Sequence, residues 1–115
     1  MSTSSLIVAA DVLRSIAFGS ITGSFGAIGT AFTHPMRLIK IINTCNTDMI
    51  ISFDGTNAND YIPAGSFSLY DLTTNQINNL SGWFFRVGTQ VYVEYASAPA
   101  SGNVYVIALY GQGDT

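Results

Sequence analysis

A chain that performs covalent chemistry needs a nucleophile beside a base, and this sequence offers few of either. His34 is the only histidine and Cys45 the only cysteine in 115 residues. With an aspartate to orient the imidazole they would make a nucleophile–base set, provided that folding brought them within hydrogen-bonding reach. Neither stands in a nucleophile elbow, a phosphate-cradling glycine loop or a paired metal-ligand motif. His34 precedes Pro35 in a Thr-His-Pro turn and reads as a loop histidine. Cys45 sits at a strand end and reads as a small apolar residue. No catalytic, cofactor-binding or metal-ligating residue is assigned, and the chain is read as a non-enzyme.

Two other groups of residues have chemistry to offer. Oxygen ligands of the kind calcium takes cluster in Asp54-Gly55-Thr56-Asn57-Ala58-Asn59-Asp60. The spacing departs from the EF-hand pattern, with Gly second rather than sixth and no Glu closing the loop. An Asp-Gly turn directly after Met49–Phe53 accounts for the same residues. The aromatic set Tyr61, Tyr70, Trp83, Phe84, Phe85, Tyr92, Tyr95, Tyr105 and Tyr110 supplies rings that stack on sugars or bases. A carbohydrate-binding β-sandwich module is therefore the alternative outside the assembly class. Strand alternation turns several of these rings toward a core, the commoner use of an aromatic in a strand.

The elements that must position these residues are strands. Helical periodicity is confined to 9–16, where Val12, Leu13 and Ile16 share one face of a short turn. From Phe18 onward, β-branched and aromatic segments alternate with Gly, Asn, Asp, Pro and Ser. Strands are predicted near 17–22, 25–31, 37–44, 48–53, 66–71, 83–87, 90–96 and 103–110. Their short, even spacing leaves no room for crossover helices and predicts an all-β antiparallel sandwich of jelly-roll type. The chain divides into an extended or helical N-terminal arm over 1–15, polar at its start, and one sandwich domain over 16–115. Val91, Val93 and Tyr95 are placed toward the core, and Phe67 and Leu69 share a face.

Composition narrows the function. Only 10% of the residues are charged, against about 25% in an ordinary soluble domain. Apolar residues make up 48%, and Ser, Thr, Asn and Gly fill 42 of the 115 positions. Hydroxyls, amides and bare backbone are cheaper to dehydrate than ammonium and carboxylate groups. That suits a surface covered by other proteins, because charge is depleted at interface centres. The net charge is −3, and Arg14, Arg37, Lys40 and Arg86 are scattered. Nucleic-acid binding, which needs clustered cations, is therefore excluded as the expected role. The longest apolar runs, such as Val104–Tyr110, fall far short of the roughly 18 residues of a membrane span. Leu6–Ala10 has no positive charge before it, and Asp11 and Arg14 follow at once, so it does not read as a signal peptide. Synthesis in the cytoplasm is expected, in keeping with a lone cysteine.

The last strand needs cover on both sides, from within the domain or from a partner, and in a chain this short a second internal layer is hard to supply. Val104, Val106, Ala108 and Tyr110 lie on one face, Tyr105, Ile107 and Leu109 on the other, and both faces are apolar. A strand on the outside of a sandwich should alternate with polar residues. Ile41-Ile42 and Met49-Ile50-Ile51 show the same double apolarity. Tyr105, Ile107 and Leu109 are the expected interface on this strand, joined by Leu6, Ile7 and Val8 of the arm.

From Ile16 to Gly111 the sequence resembles a group of short tailed-phage virion proteins. The phrases that carry the resemblance begin with Phe18-Gly-Ser-Ile-Thr-Gly, Ile28-Gly-Thr, Thr33-His-Pro-Met-Arg-Leu-Ile-Lys-Ile-Ile-Asn and Ile51-Ser-Phe-Asp-Gly-Thr. They continue with Ile62-Pro-Ala-Gly-Ser, Leu69-Tyr-Asp-Leu-Thr-Thr-Asn, Val87-Gly-Thr-Gln-Val-Tyr-Val and Ala98-Pro-Ala-Ser-Gly-Asn-Val-Tyr-Val. The resemblance implies a structural protein of the particle, made in the host bacterial cytoplasm and present in many copies. Small β-sandwich proteins of this kind decorate or cement the capsid, bridging major capsid subunits; others sit at the neck or tail. Its implied partners are the major capsid protein or neighbouring virion proteins, and further copies of itself. It brings no site residues with it, because such a job is done by surfaces.

Overall fold

The structure is a computed structural model that describes residues 7–72 and 85–112. Among the described residues nine strands run in chain order as β1 (Ile7–Ala10), β2 (Arg14–Ala17), β3 (Gly26–Ala27), β4 (Met36–Asn43), β5 (Met49–Ser52), β6 (Asp60–Ile62), β7 (Phe67–Asp71), β8 (Tyr92–Tyr95) and β9 (Asn103–Gln112). A 3-10 turn, Phe18–Ser20, follows β2. One sheet has the order β1-β9-β4-β7, with β2 also on β9, and the other has β3-β8-β5-β6. Every pairing is antiparallel. With β1 and β2 taken as one interrupted strand, the sheets interleave along the chain as a jelly roll does. The sandwich expected from the sequence is the fold observed.

The core follows from alternation. Val104, Val106 and Ala108 of β9 point inward, as do Met49 and Ile51 of β5 and Val93 of β8, and all are buried. Along β4 the inward set is Met36, Ile39, Ile41 and Asn43. Its phase changes because a bulge against β9 falls between Met36 and Leu38, where one extra residue flips the face of everything after it. Ile28, Phe32 and Ile62 complete the filling between the sheets.

One buried polar residue is fully satisfied. Asn43 Nδ2 donates to the carbonyls of Thr47 at 3.0 Å, Ile62 at 3.1 Å and Pro63 at 3.2 Å, and its Oδ1 accepts from the Cys45 amide at 2.9 Å. This ties the corner after β4 to the end of β6 across the two sheets. Gly102 meets the same corner. Its φ is +96°, and a Cβ there would lie 2.6 Å from the Cys45 nitrogen and closer still to the Thr44 carbonyl oxygen. No other residue fits that approach.

Three expectations need correction. Of the extended or helical arm the extended alternative holds and the helical turn over 9–16 is absent: residues 7–10 and 14–17 are strands on the edge of β9. The outer backbone groups of β9 need partners, and strand pairing supplies more of them than one helical turn would. Of the supposed helical face, Val12 and Leu13 are 66% and 60% exposed, and only Ile16 packs against the core. The strand expected over 17–22 ends at Ala17 and gives way to the 3-10 turn. Asp60, read as the end of a polar loop, opens a strand, Asp60–Ile62, that is not among those predicted and lies beside β5. Within 83–87, Phe85 forms a single bridge to Met36, and Trp83 and Phe84 lie outside the described residues.

Candidate assembly surface

β9 lies inside the first sheet, flanked by β1 and β2 on one side and β4 on the other. Its outward residues Tyr105, Ile107 and Leu109 are half-buried by their neighbours. The register lays out three rows across the outer face. Phe67, Ile42 and Tyr105 form one row, Leu69, Lys40 and Ile107 the next, and Leu38 and Leu109 the third, with Asp71 at its corner. Phe67 and Leu69 are 54% and 50% exposed. The expected trio thus belongs to a wider apolar face completed by Leu38, Ile42, Phe67 and Leu69, which sequence reading did not join to it. The signal lay in Leu38-x-Lys40-x-Ile42 and Phe67-x-Leu69, whose alternate positions are apolar or long-chained. Which of two apolar faces would be covered depended on the neighbouring strands.

Lys40 sits at the centre of this face, with Nζ 4.5 Å from the Phe67 ring centroid. The ammonium rests on an aromatic face, an attraction of about 0.5–1 kcal/mol at an exposed site. Its aliphatic stem adds apolar cover between Leu69 and Ile107.

The arm residues fall unevenly. Ile7 and Val8 pair through their backbones with Gln112 and Gly111, so this part of the arm is an edge strand of the same sheet. Leu6 lies outside the described residues. Between Ala10 and Arg14 the chain bulges, with three residues opposite Ile107 and Ala108 of β9. Val12 and Leu13 lie in that bulge and are exposed. Arg14 anchors it: buried, it donates from Nε to the Thr30 carbonyl at 2.7 Å and from Nη1 to Asp11 Oδ2 at 2.9 Å. Its guanidinium also lies 4.8 Å from the Phe32 ring centroid. Gly29, with φ +65°, lets the Arg14 stem pass, since a Cβ there would come within 2.9 Å of Arg14 Cγ.

The residues considered for chemistry do not converge. His34 stacks on Tyr110 with ring centroids 3.9 Å apart and planes 5° from parallel, ahead of the first residue of β4. Cys45 is buried just past the last residue of β4, and burial pushes its thiol pKa up. The eight residues of β4 between them span about 25 Å at ~3.3 Å each, so the two form no nucleophile–base pair.

The 54–60 loop is closed on itself. Asp54 accepts from the Thr56 and Asn57 amides at 2.8 Å each, from Asn57 Nδ2 at 2.8 Å and from the Ser52 hydroxyl at 2.9 Å. The Asn57 donors, backbone first, together with Thr56 and Ser52, hold its pKa well below the ordinary carboxylate range. Asp60 is bonded to the Tyr70 hydroxyl and the Tyr61 amide. Among the described residues, no three His, Cys, Asp or Glu groups gather to hold a metal.

The aromatic rings are mostly committed elsewhere. Phe53, Tyr70 and Phe85 form a mutual cluster with centroids 5.5–5.8 Å apart. Tyr95 packs on the core, and the Tyr92 ring lies against Gly55. Tyr61 is 52% exposed beside a shallow hollow lined by Ile50, Ala58, Asn59 and Asp60. Tyr61 and Phe67, 52% and 54% exposed, lie on different sheets, and the Phe67 ring already carries the Lys40 ammonium. No helix among the described residues is long and apolar enough to cross a membrane.

Neither a family model nor a curated protein matches the chain. Among solved structures it is similar to a subunit of Bacillus endospore appendages, described as a family of disulfide-linked pili. That likeness has 12% identity and a TM-score of 0.49, over 96% of this chain and 94% of that one. It is also similar to the Dit protein of phage SPP1, described as a paradigm of the hub adsorption apparatus in phages infecting Gram-positive bacteria. Here the identity is 8% and the TM-score 0.39, covering 90% of this chain and 49% of that one. The chain thus spans about half the length of Dit. Likenesses this distant carry no functional assignment, so function has to be read from the chain's own surface.

Proposed function

We propose that this chain is a non-enzymatic structural protein of a tailed-phage virion, and within that class a capsid decoration or cement protein. Its partners are then the major capsid protein or neighbouring virion proteins. The observation that carries the reading is the outward face of the first sheet, where Tyr105, Ile107 and Leu109 continue into Leu38, Ile42, Phe67 and Leu69. The outside of an antiparallel sandwich ordinarily turns polar groups to water. A contiguous apolar face marks a surface that another protein covers. The phage setting rests on the sequence resemblance, and the low charge of the chain agrees with both.

A cement protein works by mass action, because whatever binds only the assembled lattice stabilises it. Modest contacts repeated over a shell add up without any one being strong. Neck or tail placement is the alternative location and uses the same face. The test is to mix the purified chain with empty capsids lacking it and pellet the mixture. Wild type is expected to co-sediment at a saturable stoichiometry. Ile107→Asp, on the outward face and away from the core, is expected to stay folded and to lose most of that binding. Pelleting of the variant at wild-type occupancy would sink the surface assignment. A wild-type chain that ignores capsids and binds isolated tails moves the role to the neck or tail.

A further inference from the structure

The chain contains one lysine, Lys40, and one glutamate, Glu94. They stand on the outward faces of opposite sheets. Lys40 lies between Leu69 and Ile107 on the first sheet. Glu94, on β8 of the second sheet, faces Ile50 across the ladder, and Ile50 in turn faces Tyr61. Ile50 is the outward member of the apolar run Met49-Ile50-Ile51, and Tyr61 is 52% exposed. Among the described residues neither Lys40 nor Glu94 has an ion-pair partner. Each sheet therefore shows an outward charge beside apolar side chains, and the two charges have opposite sign; Asp71 stands at the corner of the first face, and Asp48, bound by the Tyr61 hydroxyl, lies beside the second.

We propose that the first-sheet face of one copy docks on the second-sheet face of another, with Lys40 set against Glu94. This rests on reading the first-sheet face as an assembly surface, and it names the neighbour on that face as a second copy of this chain. The sign of the charges decides between the arrangements open to two copies. A two-fold pairing of first-sheet faces about their centres sets Lys40 against Lys40 within an apolar frame. Like charges brought together while losing water repel each other, whereas the crossed arrangement pairs opposite charges. It also lays Ile107 and Leu69 on Ile50 and Tyr61, so apolar surface is covered on both sides. Such a contact uses two different patches and is heterologous: copies add head to tail, closing into a ring where the rotation permits and otherwise growing into a stack.

Sedimentation velocity and light scattering over a range of concentrations test this on wild type, Lys40→Glu, Glu94→Lys and the double exchange. All four are first checked for folding by circular dichroism. Wild type is expected to exceed the monomer mass of 12.3 kDa as concentration rises. Each single exchange is expected to weaken association by about tenfold or more, as inverting one partner of a desolvated pair does. The double exchange is expected to recover most of the loss. A wild-type chain that stays monomeric at millimolar concentration overturns the inference. So do singles that associate like wild type, or a double exchange that recovers nothing. The capsid-pelleting experiment is read separately. A monomer that still pellets with particles removes this inference and leaves the virion role standing. Charge-dependent association without pelleting supports the inference while the virion role falls.

Discussion

Replacing Arg14 with alanine tests whether the interrupted edge strand is bolted on from its own middle. The guanidinium is 4% exposed and its partner Asp11 13%. Besides the Asp11 carboxylate it donates to the carbonyls of Thr30 at 2.7 Å, Val12 at 3.2 Å and Ala31 at 3.4 Å. Truncation leaves these acceptors short of a donor, strips a cation from the Phe32 face and leaves Asp11 without its counter-charge. Removing one side of a buried pair costs about 3–5 kcal/mol. Asp11 keeps some access to water, so the lower end applies, about 3 kcal/mol. For a chain of 115 residues, an unfolding entropy of about 2.1 cal/mol/K per residue converts this into a Tm lowered by about 12 °C. The assay is urea and thermal unfolding followed by circular dichroism, with Asp11→Asn beside it. Asparagine keeps an acceptor and loses only the charge, so its cost should be about 1 kcal/mol. Amide exchange along 7–10 should accelerate in Arg14→Ala more than exchange in β4. A loss below about 1 kcal/mol for Arg14→Ala would refute the reasoning, because it would mean that solvent replaces every bond the guanidinium makes.

Asn43→Leu should cost about 3 kcal/mol or more in urea unfolding, since it removes four hydrogen bonds at a fully buried position; a loss within error would refute the corner's role. Acid should destabilise the fold. The Tyr61 hydroxyl, then the Ala64 amide, depress the pKa of Asp48. For Asp60, burial pushes the pKa up, but the Tyr70 and Ser68 hydroxyls and the Tyr61 amide hold it below its ordinary value. Asp54 is depressed as well. Carboxyls depressed in the folded state contribute stability above their unfolded pKa, about 4, and lose it as pH falls through the folded values. Urea midpoints should therefore be level near neutrality and drop below about pH 4, less steeply in Tyr70→Phe; a flat profile down to pH 2 would contradict the assignment. Cys45 is 2% exposed and its pKa is raised by burial, so a thiol reagent at neutral pH should label it only as fast as the protein unfolds; rapid labelling of the native chain would count against its burial.

Sequence alone determined the architecture, because a two-residue period interrupted by turn residues can bury an apolar face only as strands packed in layers. It placed β4, β5, β7, β8 and β9 close to where they lie, and the inward facing of Val91, Val93 and Tyr95. It also picked out Tyr105, Ile107 and Leu109 as apolar residues without an interior role. Where it failed, the deciding energy came from distant partners. β1 and β2 are strands because β9 has an open edge to pair with and because the 29–32 turn offers carbonyls to Arg14, and neither fact is local to 7–17. β6 is three residues long, too short for a period to show, and is held by its ladder to β5. The wider apolar face was likewise out of reach, because alternation says which residues share a side of one strand but not which strands lie together. Only the order β9-β4-β7 puts Ile107, Lys40 and Leu69 in one row. Only the pairing of β8 with β5 and β6 sets Glu94 beside Ile50 and Tyr61. Non-local pairing is chosen by the free energy of the whole sandwich, so the surfaces it creates belong to the tertiary structure.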